Sequence, residues 1–433
     1  MLSLEQCSKK KFLVFGLGIS GDATLSQLKK NNANVECWDD NKKLREKFKN
    51  KYQVNKNWFK SSYDFVVISP GINIYSHPKK LFFHKNKKRI ITDLDLFCGS
   101  IKDQKIIMIT GTNGKSTMSK LIYDLLKKSK KKVYIGGNYG TPVLDLPYKE
   151  KSAIFVLELS SYQLDYSSRL PTSVSILLNV SPDHIERHKS FNKYISAKLR
   201  IFKGLTKTGI GFLDLSNDKQ SKIFKVLKSE KYDQRNIKLI KKNIHHNLKD
   251  NLISVSLKGI HFKNCLYITL QIAKLFKISK NIYLKTIKDF KGLPHRQEII
   301  KIKNNLTFIN DSKATNFSST AVALNNYKNI HWIVGGLAKS KDKIMINKFK
   351  KSILSTYIIG RNINFFLKQI KNKVKYNICH SLENAFLSAL NEVKKHPNLK
   401  QVILLSPSAA SFDQYKNFEH RGNTFKQLVK KYS

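Results

Sequence analysis

The chain has 433 residues, of which 41% are hydrophobic and 11% aromatic, and it carries a formal net charge of +50. This length exceeds one ordinary core, so we expect two or three domains, and the hydrophobic content excludes a disordered chain. The lysines are spread along the whole sequence, without a basic stripe that alternates with aromatic residues. A general bias towards lysine therefore explains the charge better than nucleic-acid binding does, although the charge can favour encounter with polyanionic small substrates.

The cysteines and the apolar segments indicate the compartment. The five cysteines are scattered and lack CxxC spacing, which is typical of reduced thiols and not of a zinc site or a disulfide framework. The short apolar stretch near the start of the sequence runs straight into a glycine loop, so we expect a strand there and no signal peptide. No apolar run has the length of a membrane span. We therefore expect a cytoplasmic protein without a membrane partner.

The first predicted elements form a nucleotide-binding unit. A strand over residues 12–15 is followed by the loop GLGISG at residues 16–21, a helix, and a second strand that ends at Asp39. This pattern matches the dinucleotide fingerprint and, taken alone, indicates NAD, but the same loop can hold any nucleotide diphosphate at the helix end. A third strand, residues 64–68, ends in the turn SPGI at residues 69–72. We expect this turn to face the same crevice, because open α/β sheets bind ligands at the carboxyl ends of their strands.

The stretch KIIMITGTNGKSTMSKL at residues 105–121 is the most informative. An apolar strand, a tight glycine loop and the start of a helix bind a polyphosphate, because backbone N–H groups and the helix dipole face the anion. Lys115 can reach the β- and γ-phosphates, and Ser116 or Thr117 can ligate Mg²⁺. Only two residues separate Gly111 from Gly114, where the standard loop has four. The alternative is a plain strand–helix turn that happens to contain GKS.

Three further residues of the middle region lie at positions that suit a metal–nucleotide site. Glu158 interrupts the apolar strand predicted over residues 153–159, and a buried carboxylate needs a partner, which here is best supplied by Mg²⁺ on the phosphates. His184 follows the strand over residues 174–180 and is either a functional residue or a capping or core histidine. Lys198 falls on the apolar face of a predicted helix, and its spacing alone indicates a lysine that extends its amine to solvent.

Strands, polar turns and helices alternate along the whole chain, which predicts an α/β fold of three domains. We expect a Rossmann-like N-terminal domain over residues 1–98, a central P-loop ATPase-like domain with a parallel sheet over residues 99–293, and a Rossmann-like C-terminal domain over residues 294–433. The polar residues 207–256 are predicted to hold short strands at an edge of the central sheet. The strand ends of the third domain carry charged and hydroxyl side chains that suit ATP and a charged small molecule enclosed by a moving domain.

Several long segments, in order and almost from end to end, resemble the Mur ligases. They are TGTNGKST, LELSSYQL, NVSPDHIERH, SAKLRIF, GLPHR, INDSKATN and LLSPSAASFDQYKNFEHRG. The short spacing within the phosphate loop is the family's own form. The resemblance implies an ATP-dependent ligase that uses Mg²⁺ and adds D-glutamate to UDP-N-acetylmuramoyl-L-alanine through an acyl phosphate and a tetrahedral intermediate, in cytoplasmic peptidoglycan precursor synthesis. We expect a monomer without a nucleic-acid partner. A sibling ligase that adds another amino acid is the closest alternative.

The resemblance also assigns roles to individual residues. Those matched to the UDP-linked substrate are Gly18, Ile19, Ser20, Asp39, Ser69, Pro70, Gly71 and Asn138. Those matched to ATP are Gly111, Thr112, Asn113, Gly114, Lys115, Ser116, Thr117, Arg296, Asp311 and Lys313. Those matched to D-glutamate are Thr315, Lys339, Ser411, Phe412 and Phe418. Those matched to catalysis are Lys115, Glu158, His184 and Lys198.

The metal environment implied by the resemblance consists of Ser116, Glu158, His184 and Lys198, the last as the carbamate formed with CO₂. Carbamylation turns a cation into an oxygen ligand, so the resemblance favours a site role for Lys198 over a solvent-directed amine. The sequence departs from the family at residues 259–265, GIHFKNC, where Phe262 and Cys265 occupy positions that usually hold asparagine. The adenine contacts therefore stay open.

Overall fold

The computed structural model describes residues 1–216, 220–230, 235–240, 253–254, 257, 262–338 and 342–433. The chain separates into two compact units, the first made of residues 1–249 and 261–287 and the second of residues 250–260 and 288–433. Across the described ranges, no helix combines the length and the apolar character needed to cross a membrane. The α/β class with parallel sheets is confirmed, whereas the three domain boundaries stay predictions.

The first sheet belongs to the first unit, and the GLGISG loop follows its central strand. Its strands are β1 (Lys11–Phe15), β2 (Asn34–Trp38), β3 (Gln53–Val54), β4 (Phe65–Ile68) and β5 (Ile90–Ile91). Its helices are α1 (Ile19–Lys30), α2 (Lys42–Phe48), α3 (Lys80–Lys85) and α4 (Asp93–Ser100), with 3₁₀ turns at Leu4–Cys7, Trp58–Lys60 and Lys87–Arg89. The strands are parallel in the order β3-β2-β1-β4-β5. The order reverses between β1 and β4, so the loops that follow these two strands lie side by side at the position where open α/β sheets bind ligands.

The second sheet, also in the first unit, contains the phosphate loop. Its strands are β6 (Lys105–Thr110), β7 (Val133–Gly137), β8 (Ile154–Glu158), β9 (Thr172–Leu177), β10 (Leu205–Asp214) and β11 (Ile237–Ile240). The helices of this region are α5 (Lys115–Lys128), α6 (Ser161–Tyr166), α7 (Ile185–His188), α8 (Phe191–Leu199), α9 (Gln220–Ser229), α10 (Lys263–Leu275) and α11 (Lys280–Asp289), with 3₁₀ turns at Val143–Asp145 and Arg200–Phe202. The strand order is β11-β10-β9-β6-β8-β7, with every pairing parallel.

Register within this sheet decides which residues meet. The strand β6 lies between β8 and β9, where its apolar residues are buried on both faces. Ile109 of β6 pairs with Glu158 of β8, so the carboxylate lies beside the start of the phosphate loop. The predicted sheet edge is confirmed for β11, but β10 is a ten-residue strand that lies one position inside that edge, longer than the short strands expected.

The third sheet forms the core of the second unit. Its strands are β12 (Glu298–Lys303), β13 (Leu306–Asn310), β14 (Ile330–Gly335), β15 (Ile353–Ile359), β16 (Tyr376–His380) and β17 (Gln401–Leu405). Its helices are α12 (Phe317–Asn326), α13 (Ile363–Ile370), α14 (Leu382–Lys394) and α15 (Phe418–Tyr432), with a 3₁₀ turn at Ile346–Lys348. The order is β12-β13-β17-β14-β15-β16, and β12 is antiparallel to β13. Sequence reasoning missed β12, whose exposed lysine-bearing edge is a common protection against further strand pairing.

Candidate active site

The phosphate loop joins β6 to α5 and is fastened to the end of β9. Gly114 precedes the helix at φ +81°, a left-handed conformation that favours glycine. Asn179, two residues after β9, accepts a hydrogen bond from Asn113 N at 2.9 Å through its side-chain oxygen. The Asn179 amide also donates to Asn113 O at 3.0 Å. These paired bonds hold the loop in shape, and sequence reasoning did not single out Asn179, whose only signal was its place in NVSPDH.

Lys115 is folded over its own loop. Its Nζ donates to Gly111 O at 3.0 Å and to Thr112 O at 2.9 Å. Ser116 is buried in the first turn of α5, and Thr117 is half-buried beside it. A phosphate group at this helix end would offer Lys115 a stronger, charge-assisted partner than the two carbonyls.

Glu158 carries an unused acceptor at the end of β8. The residue is only 2% exposed, and its Oε1 accepts a hydrogen bond from Asn138 Nδ2 at 2.7 Å. Its Oε2 is buried and has no hydrogen-bond partner among the described residues. A buried carboxylate oxygen without a partner is costly unless a cation or donor binds it. Asn138, matched to the UDP-linked substrate, is thus placed where it orients Glu158.

Lys198 is sealed beneath the phosphate loop at the end of α8. It is 1% exposed, and its Nζ donates to Gly111 O at 2.8 Å and to Thr110 Oγ1 at 3.4 Å. Burial, followed by the positive charge of Lys115, holds the pKa of the Lys198 amine well below its ordinary value. A lysine that extends to solvent keeps its amine in water, so the interpretation drawn from helical spacing is wrong.

His184 lies in a strained turn before α7. Its backbone has φ +54°, and its side chain makes no capping hydrogen bond to the helix. The ring Nδ1 lies 2.8 Å from the Tyr162 hydroxyl, and Nε2 lies 3.4 Å from Asp183 Oδ2. His184 occupies the N-cap position of α7 through its backbone, but its side chain is 37% exposed and makes no capping bond, so neither side-chain capping nor core packing accounts for it. Tyr162, which sequence reasoning did not single out, fixes the orientation of this ring.

A second missed group supports the floor of the site. The Tyr194 hydroxyl lies 3.0 Å from Thr112 Oγ1, and Thr112 Oγ1 also accepts a hydrogen bond from Ser181 N at 3.0 Å. The buried ring of Tyr194 lies 4.8 Å below the Lys198 amine.

Burial lowers the pKa of the neighbouring His188 to about 4, so its ring is neutral near pH 7.

In the first sheet, the predicted UDP loop and turn face each other. Ser69 Oγ donates to Gly16 O at 2.8 Å. Asp39 accepts hydrogen bonds from Leu17 N and Asn41 N, both at 2.7 Å. The carboxylate is thereby engaged in holding the loop, which weakens the interpretation that it binds an NAD ribose.

A cleft of about 420 Å³ opens at the start of α1. Gly18 and Ile19 line it, together with Lys47 and Lys51, which sequence reasoning missed. Ser20, Pro70 and Gly71 lie on the same loop and turn at least partly exposed. A helix N-terminus beside two lysines suits an anionic group such as a pyrophosphate.

The residues matched to ATP in the second unit include Asp311, which follows β13. It is buried and accepts hydrogen bonds from Ser406 Oγ at 2.7 Å and Gln297 N at 3.1 Å. Burial raises the pKa of Asp311 to about 7, although Arg296 favours its ionised form. The Lys313 amine lies 3.7 Å above the ring of Phe418.

The residues matched to D-glutamate share the same end of the third sheet. Ser411 is buried, Thr315 and Phe418 are half-buried, and Phe412 is 70% exposed. Lys339 lies outside the described residues. Arg421, which sequence reasoning missed, is fully buried and donates through Nη2 to Ser312 O at 2.9 Å and Ala409 O at 3.0 Å. It fastens together the two segments that carry Thr315 and Ser411.

The divergent stretch before α10 is described only in part, because residues 259–261 lie outside the described ranges. Cys265 is buried, and Phe262 is half-buried. Asn264 points its amide at the end of β10, where it donates to Asp214 Oδ1 at 3.0 Å and Ser216 Oγ at 2.9 Å. Asn264 is therefore engaged within the fold, and the adenine contacts stay open.

Comparison with known proteins gives a consistent result. Residues 109–282 match the family model of the Mur ligase middle domain. The chain is 34% identical over 444 residues to the UDP-N-acetylmuramoylalanine–D-glutamate ligase of Rickettsia prowazekii (strain Madrid E), with 98% of each sequence covered. It is 32% identical over 497 residues to the ligase of the same name from the Wolbachia of Brugia malayi (strain TRS), with 99% of this chain and 98% of the relative covered.

Solved structures share the architecture. The MurF ligase of Thermotoga maritima in complex with ADP aligns with a TM-score of 0.60 at 14% identity, covering 100% of this chain and 98% of that chain. MurF from Acinetobacter baumannii aligns with a TM-score of 0.58 at 14% identity, covering 99% of this chain and 93% of that chain. At these identities the alignments show a common fold and carry no statement about substrates.

Proposed function

The chain belongs to the Mur ligase family, and from that premise we propose that it joins D-glutamate to UDP-N-acetylmuramoyl-L-alanine with the hydrolysis of ATP, in peptidoglycan precursor synthesis. The observation that carries the ATP-dependent chemistry is the meeting of the phosphate loop, the open Glu158 Oε2 and the buried Lys198 amine at one end of the second sheet. The choice of D-glutamate rests on relatives named for that reaction.

The proposed reaction has two chemical steps. The L-alanyl carboxylate attacks the γ-phosphorus of ATP, which forms an acyl phosphate and releases ADP. The amine of D-glutamate then attacks the acyl carbon, and the tetrahedral intermediate collapses to the amide with loss of phosphate. In this scheme Lys115 leaves its two loop carbonyls to neutralise charge on the transferred phosphoryl group, and the N–H groups at the start of α5 hold the β-phosphate.

The described residues fit a Mg²⁺ ion that is shared with ATP. Glu158 Oε2 is a buried acceptor with no partner, and the Ser116 hydroxyl lies at the helix start. Among the ranges that the structure describes, no three His, Cys, Asp or Glu side chains form a metal-binding group. This suits Mg²⁺, which is commonly held by one or two carboxylates together with substrate phosphates. When bound, the ion would supply positive charge to the phosphoryl oxygens.

We extend the proposal to His184 and Lys198, the other residues matched to the metal environment. The neutral form of an amine reacts with CO₂, and the lowered pKa of Lys198 favours that form. Formation of the N–C bond releases one proton and leaves an anionic carbamate. The carbamate would place an oxygen ligand beside the loop and bring a negative charge next to the Lys115 ammonium.

The substrate subsites follow the three sheets. In our proposal the GLGISG loop and the turn after β4 hold the UDP-linked donor, and Asp39 contributes by fixing the shape of that loop. The end of the third sheet holds D-glutamate, and Arg296, Asp311 and Lys313 contribute to ATP. Because ATP and UDP-linked precursors are cytoplasmic metabolites, we propose that the enzyme works in the cytoplasm. Its predicted monomeric state and lack of nucleic-acid and membrane partners stay predictions.

An acceptor screen tests the proposal. The purified protein is incubated with ATP, Mg²⁺ and UDP-N-acetylmuramoyl-L-alanine, and phosphate release and product mass are followed with each acceptor. We expect the highest turnover with D-glutamate, and little with L-glutamate, L-alanine, diaminopimelate or D-alanyl-D-alanine. Faster turnover with any of the other acceptors would assign the chain to a sibling activity.

A further inference from the structure

The turn after β4 is held from two sides. On one side, Ser69 Oγ donates to Gly16 O at 2.8 Å, within the first sheet. On the other side, Ile72 O accepts two hydrogen bonds from residues that follow strands of the second sheet. Arg187 Nη2 donates at 2.7 Å and the Tyr166 hydroxyl donates at 3.0 Å.

The Tyr166 hydroxyl is the centre of this second attachment. It accepts hydrogen bonds from Ile74 N, at 3.2 Å, and from Arg187 Nη2 while it donates to Ile72 O. Tyr166 is buried at the end of α6, which begins three residues after Glu158. One hydroxyl thus joins two backbone groups of the turn to the helix that follows the candidate metal ligand.

The Arg187 side chain is buried and packs against two tyrosine rings. It is 9% exposed, and its guanidinium carbon lies 4.9 Å from the ring centre of Tyr162 and 5.2 Å from that of Tyr166. No carboxylate among the described residues forms a salt bridge with it, so Ile72 O and the Tyr166 hydroxyl are its hydrogen-bond partners. Asp165 interacts with this guanidinium only at longer range, so the charge is buried without a direct ion pair, which is costly. Arginine also presents its donors in one rigid plane.

The attachment leads directly to the candidate chemistry. Arg187 lies in α7, and its backbone N–H donates to His184 O at 3.1 Å. Tyr162, which packs on the guanidinium, also bonds the His184 ring. A displacement of the turn after β4 would therefore move Arg187 and, through the first turn of α7, His184.

We propose that Arg187 and Tyr166 are positioning residues that set the donor-binding turn at a fixed place relative to Glu158, His184 and the phosphate loop. This inference rests on the proposed function, since the turn is the predicted subsite of the UDP-linked donor. Loosening the attachment misplaces the donor carboxylate and leaves the ATP loop intact, because Asn179 and not Arg187 holds that loop.

The test compares steady-state constants for each substrate. Tyr166→Phe keeps the ring and removes the hydroxyl, and Arg187→Met removes all donors. Both variants should raise KM for UDP-N-acetylmuramoyl-L-alanine by about 5- to 10-fold, the size of one or two hydrogen bonds. KM for ATP should stay within twofold of wild type. Arg187→Lys should recover part of the loss, because one N–H donor can still point at Ile72 O.

Arg200→Met is the matched control. Arg200 also donates to carbonyls at α6, those of Leu164 and Ser167, but makes no hydrogen bond to the turn. It should leave the KM for the donor unchanged. A wild-type KM for the donor in both Tyr166→Phe and Arg187→Met, or an equal rise in the KM for ATP, overturns the inference; if Arg187→Met does not fold, Tyr166→Phe decides alone. Wild-type protein that forms no product with D-glutamate contradicts the proposed function instead.

Discussion

At the residue scale, the amines of two lysines in the site share one glycine carbonyl as acceptor. Lys115 and Lys198 both donate to Gly111 O, at 3.0 and 2.8 Å. Burial, and then the positive charge of Lys115, disfavours the charged form of Lys198 and lowers its pKa. Glu158 Oε2, buried without a partner among the described residues, needs a cation. A bound polyphosphate with Mg²⁺ would satisfy both demands.

Replacement of Lys115 by alanine tests the phosphate loop. We expect a loss of turnover of at least about 100-fold, because the group that neutralises transferred charge is removed. The melting temperature should stay close to wild type, since Lys115 is half-buried and its two described hydrogen bonds go to carbonyls of its own loop. Phosphate release and thermal unfolding are the two measurements. Lys120→Ala, which breaks an ion pair with Asp124 in the same helix, is the control, and normal turnover in Lys115→Ala would refute the assignment.

Replacement of Lys198 by alanine tests the carbamate. The variant should be inactive, and a short carboxylic acid should restore part of the turnover by occupying the vacated volume with an oxygen ligand. The same acid should not restore Lys115→Ala, whose missing group is a cation. Turnover is measured against acid concentration for both variants. Full activity of Lys198→Ala without the acid would contradict a role in the site.

Asp311 makes stability depend on pH in a defined direction. Its pKa of about 7 in the folded protein lies above its ordinary value of 3.8, so the folded state binds the proton more tightly. The resulting stabilisation is complete below pH 3.8 and is lost as the pH rises through 7. Wild type should therefore lose stability from pH 5 to pH 8, whereas Asp311→Asn should not. The free energy of unfolding of the variant minus that of wild type should rise over this interval by a few kcal/mol, on the order of the linkage free energy. Urea unfolding of both proteins at pH 5 and pH 8 measures these free energies. The same difference between variant and wild type at both pH values would contradict the burial argument.

At the element scale, the phosphate loop depends on the end of a neighbouring strand. Asn179 follows β9 and makes paired hydrogen bonds to Asn113. The loop is therefore shaped before a nucleotide binds, which lowers the ordering cost of binding.

Asn179→Ala should weaken ADP binding by about 10-fold, because two hydrogen bonds that order the loop are lost. Calorimetric titration with ADP measures this directly. Asn86→Ala removes an amide that, among the described residues, donates to Phe82 O, and it serves as the matched control. Unchanged ADP affinity in Asn179→Ala would show that the loop keeps its shape without this strand end.

Elements with strong local patterns were predictable from the sequence. The strand before the phosphate loop was expected over residues 106–109 and is found at Lys105–Thr110, because a β-branched apolar run next to a glycine loop has few alternatives. The antiparallel strand β12 was missed, because its charged, half-exposed sequence resembles a surface loop. The burial of Lys198 was missed for a related reason, since helical spacing gives the face of a residue but not what lies beneath it.

The site residues that escaped prediction act through distant contacts. Tyr166 meets Ile72 across 94 positions, and Arg187 meets it across 115. Local patterns contain no information on such pairs. The resemblance to the Mur ligases supplied most of the proposed residue roles, and residues that support others, such as Asn179, Tyr162 and Arg421, became visible only from their contacts.

At the scale of the whole molecule, each of the three sheets carries the residues proposed for a different substrate. The first sheet carries the loop and turn matched to the UDP-linked donor, the second carries the phosphate loop, and the third carries the residues matched to D-glutamate. The first two sheets belong to one compact unit, and Arg187 and Tyr166 are among the contacts that join them. The net charge of +50 suits a protein whose proposed substrates are all anions.

The central claim is that ATP activates the L-alanyl carboxylate for attack by D-glutamate, and oxygen transfer tests it most directly. UDP-N-acetylmuramoyl-L-alanine labelled with ¹⁸O in its carboxylate is converted with ATP and D-glutamate, and both products are analysed by mass spectrometry. An acyl phosphate requires one labelled oxygen to pass to phosphate and one to remain in the new amide. Unlabelled phosphate alongside the amide product, or ATP hydrolysis without any amide, would contradict the account.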